Sequence, residues 1–385
     1  MTDLGGDEQP FRSGQRPTWI ELDLDALGRN VSAVVDELQG VPLMAVVKAN
    51  AYGHGSLAVA RSALRYGASW VATATVAEGL ELRRDGIAAP ILVMGYTAPA
   101  QVSTAVASRM AVTVFDEEVL GALERAAVEQ GRTATAHVKV DSGMSRLGVP
   151  AAELPAFVGK AQRFGNVDLE GCYTHFRKGS DRSASAAQLE RFLTALEVTE
   201  AAGHRFRLRH AANSAAWRTL PEARLDLVRC GIELLGLRTP DGRQRDPVLS
   251  FRTTVAQVRS IAAGTYVGYE DGFCAQRPMV VATIPVGYGD GFRRGPRNWS
   301  GVLIGGRECP LVGHVSMDLS VVDVSQLPEV AAGALVTLIG VDHGTRLSVE
   351  TVAERLGTVN YEVTTALLGR IPRELIHPVV SGEPE

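Results

Sequence analysis

Apolar and polar positions follow one pattern over the first two thirds of the chain and another over the last third. Short runs of apolar and β-branched residues occur at 44–47, 70–73, 91–94, 111–114, 136–140, 169–174, 206–210 and 225–228, which predicts eight strands. Between them, apolar residues recur every three or four positions. In 116–130, Val119, Leu120, Leu123 and Ala127 share one helical face, and in 187–201 Leu189, Phe192, Leu193 and Leu196 do the same. Eight strands alternating with helices predict an α/β fold, a (β/α)8 barrel of the TIM type. The segment 18–24 alternates like a further strand, and Asp25 is placed to cap a helix reaching about Leu38. Past Gly236 the pattern becomes strand-like alternation over 250–261 and apolar runs at 279–285, 302–304, 319–324 and 335–339, separated by glycine turns. The predicted organisation is a flexible tail (1–17), a barrel (18–242) and a mainly β domain (243–385), with strand 18–24 pairing with the β domain.

Composition narrows the function classes. A chain of 385 residues is long enough for two domains, and its formal charge of -4 provides no basic footprint for nucleic acid. The first seventeen residues lack the apolar core of a secretory signal or membrane span. Four widely spaced cysteines (Cys172, Cys230, Cys274, Cys309) contain no C-x-x-C pair, which argues against a zinc site or a disulfide scaffold and for the reducing cytoplasm. No metal is expected.

Lys48 is the first candidate for chemistry. It ends the apolar run Val46-Val47 and opens Ala49-Asn50-Ala51-Tyr52-Gly53-His54-Gly55. The residue beyond a buried barrel strand faces the rim where sites form, and an amine desolvated there loses proton affinity and can condense with a carbonyl. Other polar residues fall at strand ends in the same way: Lys139 and Arg146 around the fifth strand, His175 after the sixth, Asn213 and Ser214 after the seventh, Arg229 after the eighth. No G-x-x-x-x-G-K-[ST] run marks a nucleotide P-loop.

The segments 46–55, 139–148 (Lys-Val-Asp-Ser-Gly-Met-Ser-Arg-Leu-Gly), 173–176 (Tyr-Thr-His-Phe), 210–214 (His-Ala-Ala-Asn-Ser), 228–232 (Val-Arg-Cys-Gly-Ile), 284–292, 316–318 (Ser-Met-Asp) and 360–362 (Asn-Tyr-Glu) together resemble the motif series of alanine racemases. The resemblance implies a pyridoxal phosphate enzyme that interconverts L- and D-alanine as a homodimer with shared active sites. By the same resemblance Lys48 is the Schiff-base lysine, Tyr52, Ser214, Gly231, Ile232 and Tyr361 form the cradle for the cofactor phosphate, and His175 and Asn213 are further cofactor contacts. Arg229 faces the pyridine nitrogen, and because a guanidinium stays protonated it donates without yielding its proton. Racemisation needs proton transfer on both faces of Cα; the resemblance implies that Lys48 serves one face and Tyr269 of the partner copy the other, assisted by His175 and Arg229. Arg146 resembles the arginine that binds the cofactor's phenolic oxygen and the substrate carboxylate, Lys139 the lysine that is carbamylated, and Met317 and Tyr288 substrate contacts.

Several positions depart from the family pattern. Glu270 stands where glycine usually follows the catalytic tyrosine, Arg177, Lys178, Gly179 and Ser180 replace small residues, and His314 replaces an arginine. Glu233 and Leu235 replace a small residue and a tyrosine. These departures leave open a racemase or epimerase of another amino acid, such as serine, and more remotely a non-catalytic pyridoxal phosphate-binding protein.

Overall fold

The computed structural model describes residues 16–376. The predicted tail therefore lies outside the described residues except for Arg16 and Pro17. The chain divides into two compact units, one formed by Ala26–Asp246 and the other by the residues on either side of it.

In the first unit eight parallel strands form a nearly closed barrel: Leu43–Val46, Trp70–Thr73, Ile91–Val93, Ala111–Val114, Ala134–Asp141, Val167–Tyr173, Leu208–His210 and Val228–Cys230. The eighth pairs with the first in the register Val228 to Leu43. The seventh and eighth are bridged by two backbone hydrogen bonds, Asp226 N–H to the Arg209 carbonyl (3.0 Å) and Arg229 N–H to the Ala212 carbonyl (3.2 Å). The eighth strand begins three residues later than the sequence predicts. Leu225 sits at φ 50, outside strand geometry, and the Asp226 carboxylate is held by the Arg209 backbone N–H and guanidinium. Arg229 consequently lies inside the strand rather than beyond it.

The outer helices follow from their apolar stripes and caps. Glu117–Glu129 is capped by Asp116, which accepts from Val119 N–H at 2.8 Å, and buries the predicted face. Arg182–Ala201 starts five residues before the predicted 187, because Asp181 accepts from Ala184 N–H and caps it there. Asp25 is not a cap: the helix Leu24–Glu37 already includes it in its first turn, where a negative charge still favours the helix N-terminus.

The barrel interior is divided by chemistry. Met44, Val46, Ala72, Leu92, Ala111 and Leu227 form one buried apolar cluster. The fifth to eighth strands instead bury His137, Lys139, Tyr173, His210 and Arg229. A buried polar group is costly unless bonded, so this half of the interior carries the constraints that position chemistry.

In the second unit Thr18–Asp23 lies between Leu249–Thr254, antiparallel, and Arg373–Ile376, parallel. The sheet continues through Leu335–Asp342 to Gly301–Ile304 and Arg307–Pro310. A smaller sheet joins Gln257–Ile261, Met279–Ile284 and Ser320–Asp323 over a core of Val267, Ala275, Met279, Val281 and Val312. The alternation read as one stretch over 250–261 is thus two strands in two sheets. The chain switches at Val255 and Ala256, whose N–H groups bond to the Ala334 and Thr283 carbonyls. Among the described residues no helix is long and apolar enough to cross a membrane.

Candidate active site

Lys48 emerges from the first barrel strand into a turn of left-handed backbone. Ala49, Asn50, Ala51 and Tyr52 all have φ between 50 and 54. Non-glycine residues resist this conformation, so the turn must be held from outside. The Glu78 carboxylate does so: one oxygen accepts from Ala49 N–H (2.7 Å), the other from Ala74 N–H (2.7 Å) and Thr75 N–H (3.2 Å). Asn50 closes the other end, its side chain accepting from Ser56 N–H at 2.9 Å. The Lys48 ammonium stands 6.0 Å from the centroid of the Tyr52 ring.

Across the barrel mouth the cations accumulate. Arg229 is fully buried and donates to the Thr174 carbonyl (2.8 Å), the Ala211 carbonyl (3.1 Å), His210 Nδ1 (3.0 Å) and His175 Nδ1 (3.4 Å), with no carboxylate among these partners. Desolvation lowers its pKa to about 10. Lys139 is buried, donates to the Val140 carbonyl at 3.0 Å and lies 5.2 Å from the Tyr173 ring. Burial, then the charge of Arg229, brings its pKa down to about 7. Burial lowers the Lys48 amine as well, reinforced by Arg146, and holds His175 well below the usual imidazole value, reinforced by Arg229 and Lys139. Arg146 itself is exposed on a loop ordered by Asp141, whose carboxylate accepts from the N–H groups of Gly143, Met144 and Ser145. Glu78 and Asp141, the carboxylates near this cluster, are thus bonded to backbone N–H groups. Their charges act on the Lys48 and Lys139 amines but are outweighed there by burial and by Arg146 and Arg229.

Tyr52, Ser214 and Gly231 adjoin the cluster. Gly231 N–H donates to Ser214 Oγ at 3.2 Å, and a Cβ at Gly231 would lie 2.8 Å from the Tyr52 ring and hydroxyl. Only glycine admits the tyrosine here. Backbone N–H and hydroxyl groups gathered where Gly231 lets Tyr52 approach fit a phosphate group, beside an amine suited to an aldehyde. The chemistry of Lys48, Tyr52, Ser214 and Gly231 fits pyridoxal phosphate. Asn213 plays a different visible part: its side-chain oxygen accepts from Ala215 and Ala216 N–H at the start of the short helix Ala216–Thr219.

Tyr269, Tyr288, Met317 and Tyr361 belong to the second unit and are exposed on it. The structure brings two of them together: Tyr288 N–H bonds to the Ser316 carbonyl (3.0 Å) and Gly289 N–H to the Met317 carbonyl (2.8 Å). Asp290, fully buried, organises that turn by accepting from Gly287 N–H (3.0 Å) and Arg370 Nε (2.8 Å). The loop of Tyr269 packs on the same segment, since a Cβ at Gly272 would lie 2.5 Å from the His314 ring.

The chain matches the family model for the alanine racemase N-terminal domain over residues 22–239 and that for the C-terminal domain over 248–375. It belongs to the alanine racemase family. It is 40% identical over 366 residues to the alanine racemase of Symbiobacterium thermophilum, covering 94% of this chain and 97% of that one. Its fold superposes on a crystal structure of the Bacillus anthracis alanine racemase with bound L-Ala-P (TM-score 0.89, 35% identity, 95% of this chain and 96% of that one). The alanine racemase of a D-cycloserine-producing Streptomyces lavendulae gives the same score at 32% identity, covering 95% and 99%. The protein is accordingly an isomerase of the racemase type.

Against the alanine racemase pattern, the departures separate by location. Glu233 and Leu235 are buried and line no entrance. Glu233 accepts from Trp217 Nε1 (2.9 Å) and Arg245 Nε (2.9 Å) and pairs with Arg218. Glu270 sits at φ 57, in the left-handed region natural to the glycine it replaces, and its side chain is exposed like that of Asp271. Arg177 and Lys178 are exposed, and Gly179 abuts Asn213, whose side-chain oxygen would be 2.6 Å from an added Cβ. Sequence reading missed Glu78, His137 and Glu170. His137 had a signal, since it lies two residues before Lys139 and so on the same face of the strand.

Proposed function

We propose that the protein interconverts L- and D-alanine with pyridoxal phosphate held in the barrel mouth. The observation that carries this reading is the cluster of Lys48, Lys139, Arg146 and Arg229, whose neighbouring carboxylates are already bonded, beside the Tyr52, Ser214 and Gly231 cradle. When bound, pyridoxal phosphate supplies an aldehyde that takes up the substrate amine and a conjugated ring that spreads the electrons left at Cα.

Ser214 Oγ and the N–H groups of Gly231 and Ile232, with Tyr52 and Tyr361, hold the phosphate, and Asn213 shapes this corner. Arg229 donates to the ring nitrogen. Because its guanidinium keeps its proton, Arg229 would offer that nitrogen a hydrogen bond and no proton. Lys48, deprotonated more readily than a free lysine, would hold the cofactor through its amine and move the Cα proton on one face. Tyr269 serves the other face with His175 as its partner. Arg146 holds the phenolic oxygen and, with Met317 N–H and Tyr288, orients the substrate carboxylate. Lys139 as a carbamate would become an anion able to pair with Arg146. Tyr269 and Met317 are assigned to the site of a second copy, which makes the working unit a homodimer. The free cysteines suit a reducing cytoplasm.

Borohydride reduction of the loaded protein followed by peptide mapping is expected to leave the pyridoxyl group on Lys48, and purified protein is expected to racemise L-alanine faster than other L-amino acids. Lys48→Ala should lower turnover by at least about a thousandfold. A label on another lysine, or no D-alanine formed, overturns the reading.

A further inference from the structure

A line of hydrogen bonds leaves Arg229 on the side away from Lys48 and has no part in the steps above. Arg229 Nη1 meets His210 Nδ1 at 3.0 Å, His210 Nε2 meets His137 Nδ1 at 2.9 Å, and His137 Nε2 meets Glu170 Oε2 at 3.4 Å. Arg207 holds the other Glu170 oxygen at 3.5 Å and pairs with Asp168. Both imidazoles are fully buried, whereas the Glu170 side chain is 22% exposed. The line thus runs down the barrel interior, from the layer of Lys139, Tyr173 and His210 toward the amino ends of the strands.

The direction of every bond follows from its two ends. The guanidinium at one end donates and the carboxylate at the other accepts; with both ends in place, Nδ1 of His210 and Nδ1 of His137 are the acceptors and both protons sit on Nε2. The fold is shaped around this arrangement. Gly171 lies beside His137 in the sheet, and a Cβ there would stand 2.5 Å from its ring. Tyr173 stacks on His210 at 4.7 Å with an interplanar angle of 5°, fixing the ring plane. Burial keeps both imidazoles neutral, and the bond from His137 holds the Glu170 carboxyl below the usual carboxylate range.

We propose that Glu170 is a positioning residue: by accepting from His137 it sets the proton on Nε2 of both imidazoles, so that His210 presents a lone pair to Arg229 and holds the guanidinium aimed at the cofactor ring. With no acceptor at position 170 the line can reverse. Both protons would then sit on Nδ1, His210 would turn a donor toward the donor it faces at 3.0 Å, and the guanidinium would be displaced. The aim at the ring rests on the reading under Proposed function, whereas the tautomers do not.

The test is long-range proton–nitrogen NMR of the full chain labelled with 15N-histidine, with and without cofactor, alongside alanine kinetics. The unaltered protein should show His137 and His210 neutral with the proton on Nε2. Glu170→Met should move at least one of them to the Nδ1 form and lower kcat about tenfold with little change in KM. Glu170→Gln, whose carbonyl oxygen still accepts, should retain both the tautomers and kcat to within about twofold. Unchanged tautomers in Glu170→Met, or Glu170→Gln behaving like Glu170→Met, overturns the proposal. If Glu170→Met does not fold, the unaltered protein still decides, because a proton on Nδ1 of His210 sinks the assignment. The cofactor-free spectra keep this outcome separate from any failure of the alanine racemase reading.

Discussion

Lys139 shows how one side chain's surroundings determine its chemistry. A lysine in water is almost wholly protonated at neutral pH, but burial and the Arg229 charge bring this amine to a pKa of about 7. The neutral form can add carbon dioxide, forming an N–C bond and releasing one proton to leave a carbamate; the protonated form cannot. Carbamate on Lys139 should therefore be absent well below pH 7 and grow as pH rises through about 7. In 13C-bicarbonate, the carbamate carbon signal should follow that course and vanish in Lys139→Arg. A signal that rises only near the ordinary lysine pKa would mean the amine is not depressed.

At the scale of elements, the turn carrying Lys48 is held by contacts distant in sequence rather than by its own preference. Left-handed backbone costs roughly 1–2 kcal/mol per non-glycine residue, and four such residues stand in a row. Glu78, on the helix Val76–Arg84, offsets part of that by gathering three backbone N–H groups. Glu78→Ala should cost about 2 kcal/mol in urea unfolding. It should also remove a negative charge that raises the Lys48 pKa, so the pH midpoint of trapping at Lys48 by borohydride and pyridoxal phosphate should move down. An upward or absent shift would show that Glu78 does not act on the amine. The strand before this turn was plain in the sequence as an apolar run, but the hand of the turn was not, because Ala-Asn-Ala-Tyr carries no signal for it. The helix 117–129 was legible from both its stripe and its cap, since each depends on neighbours within a few residues.

For the whole molecule the question is how many chains build one site. Tyr269 and Met317 are exposed on the second unit, 64% and 54%, though they are assigned to a site that must exclude water. The proposed homodimer, in which the β unit of each copy would complete the site of the other, accounts for this exposure. Mixing inactive Lys48→Ala with inactive Tyr269→Phe under subunit exchange should restore up to about a quarter of the unaltered activity, since half the chains pair as heterodimers with one intact site of two. No recovery in proven heterodimers would place each site within one chain.

The sequence alone singled out Lys48 as the candidate lysine, and it determined the order of strands and helices around the barrel and the motif series that marks the family. All of these depend on chain periodicity or on residue types within about ten positions. Tertiary structure decided the rest. It placed Arg229 inside the last strand because Asp226 binds Arg209, sent the alternation at 250–261 into two sheets, and drew His210, His137 and Glu170 into one hydrogen-bonded line. Each of those outcomes depends on partners from different strands. A buried polar group takes its role from whatever the fold brings within about 3 Å, and that distance is not written in local sequence.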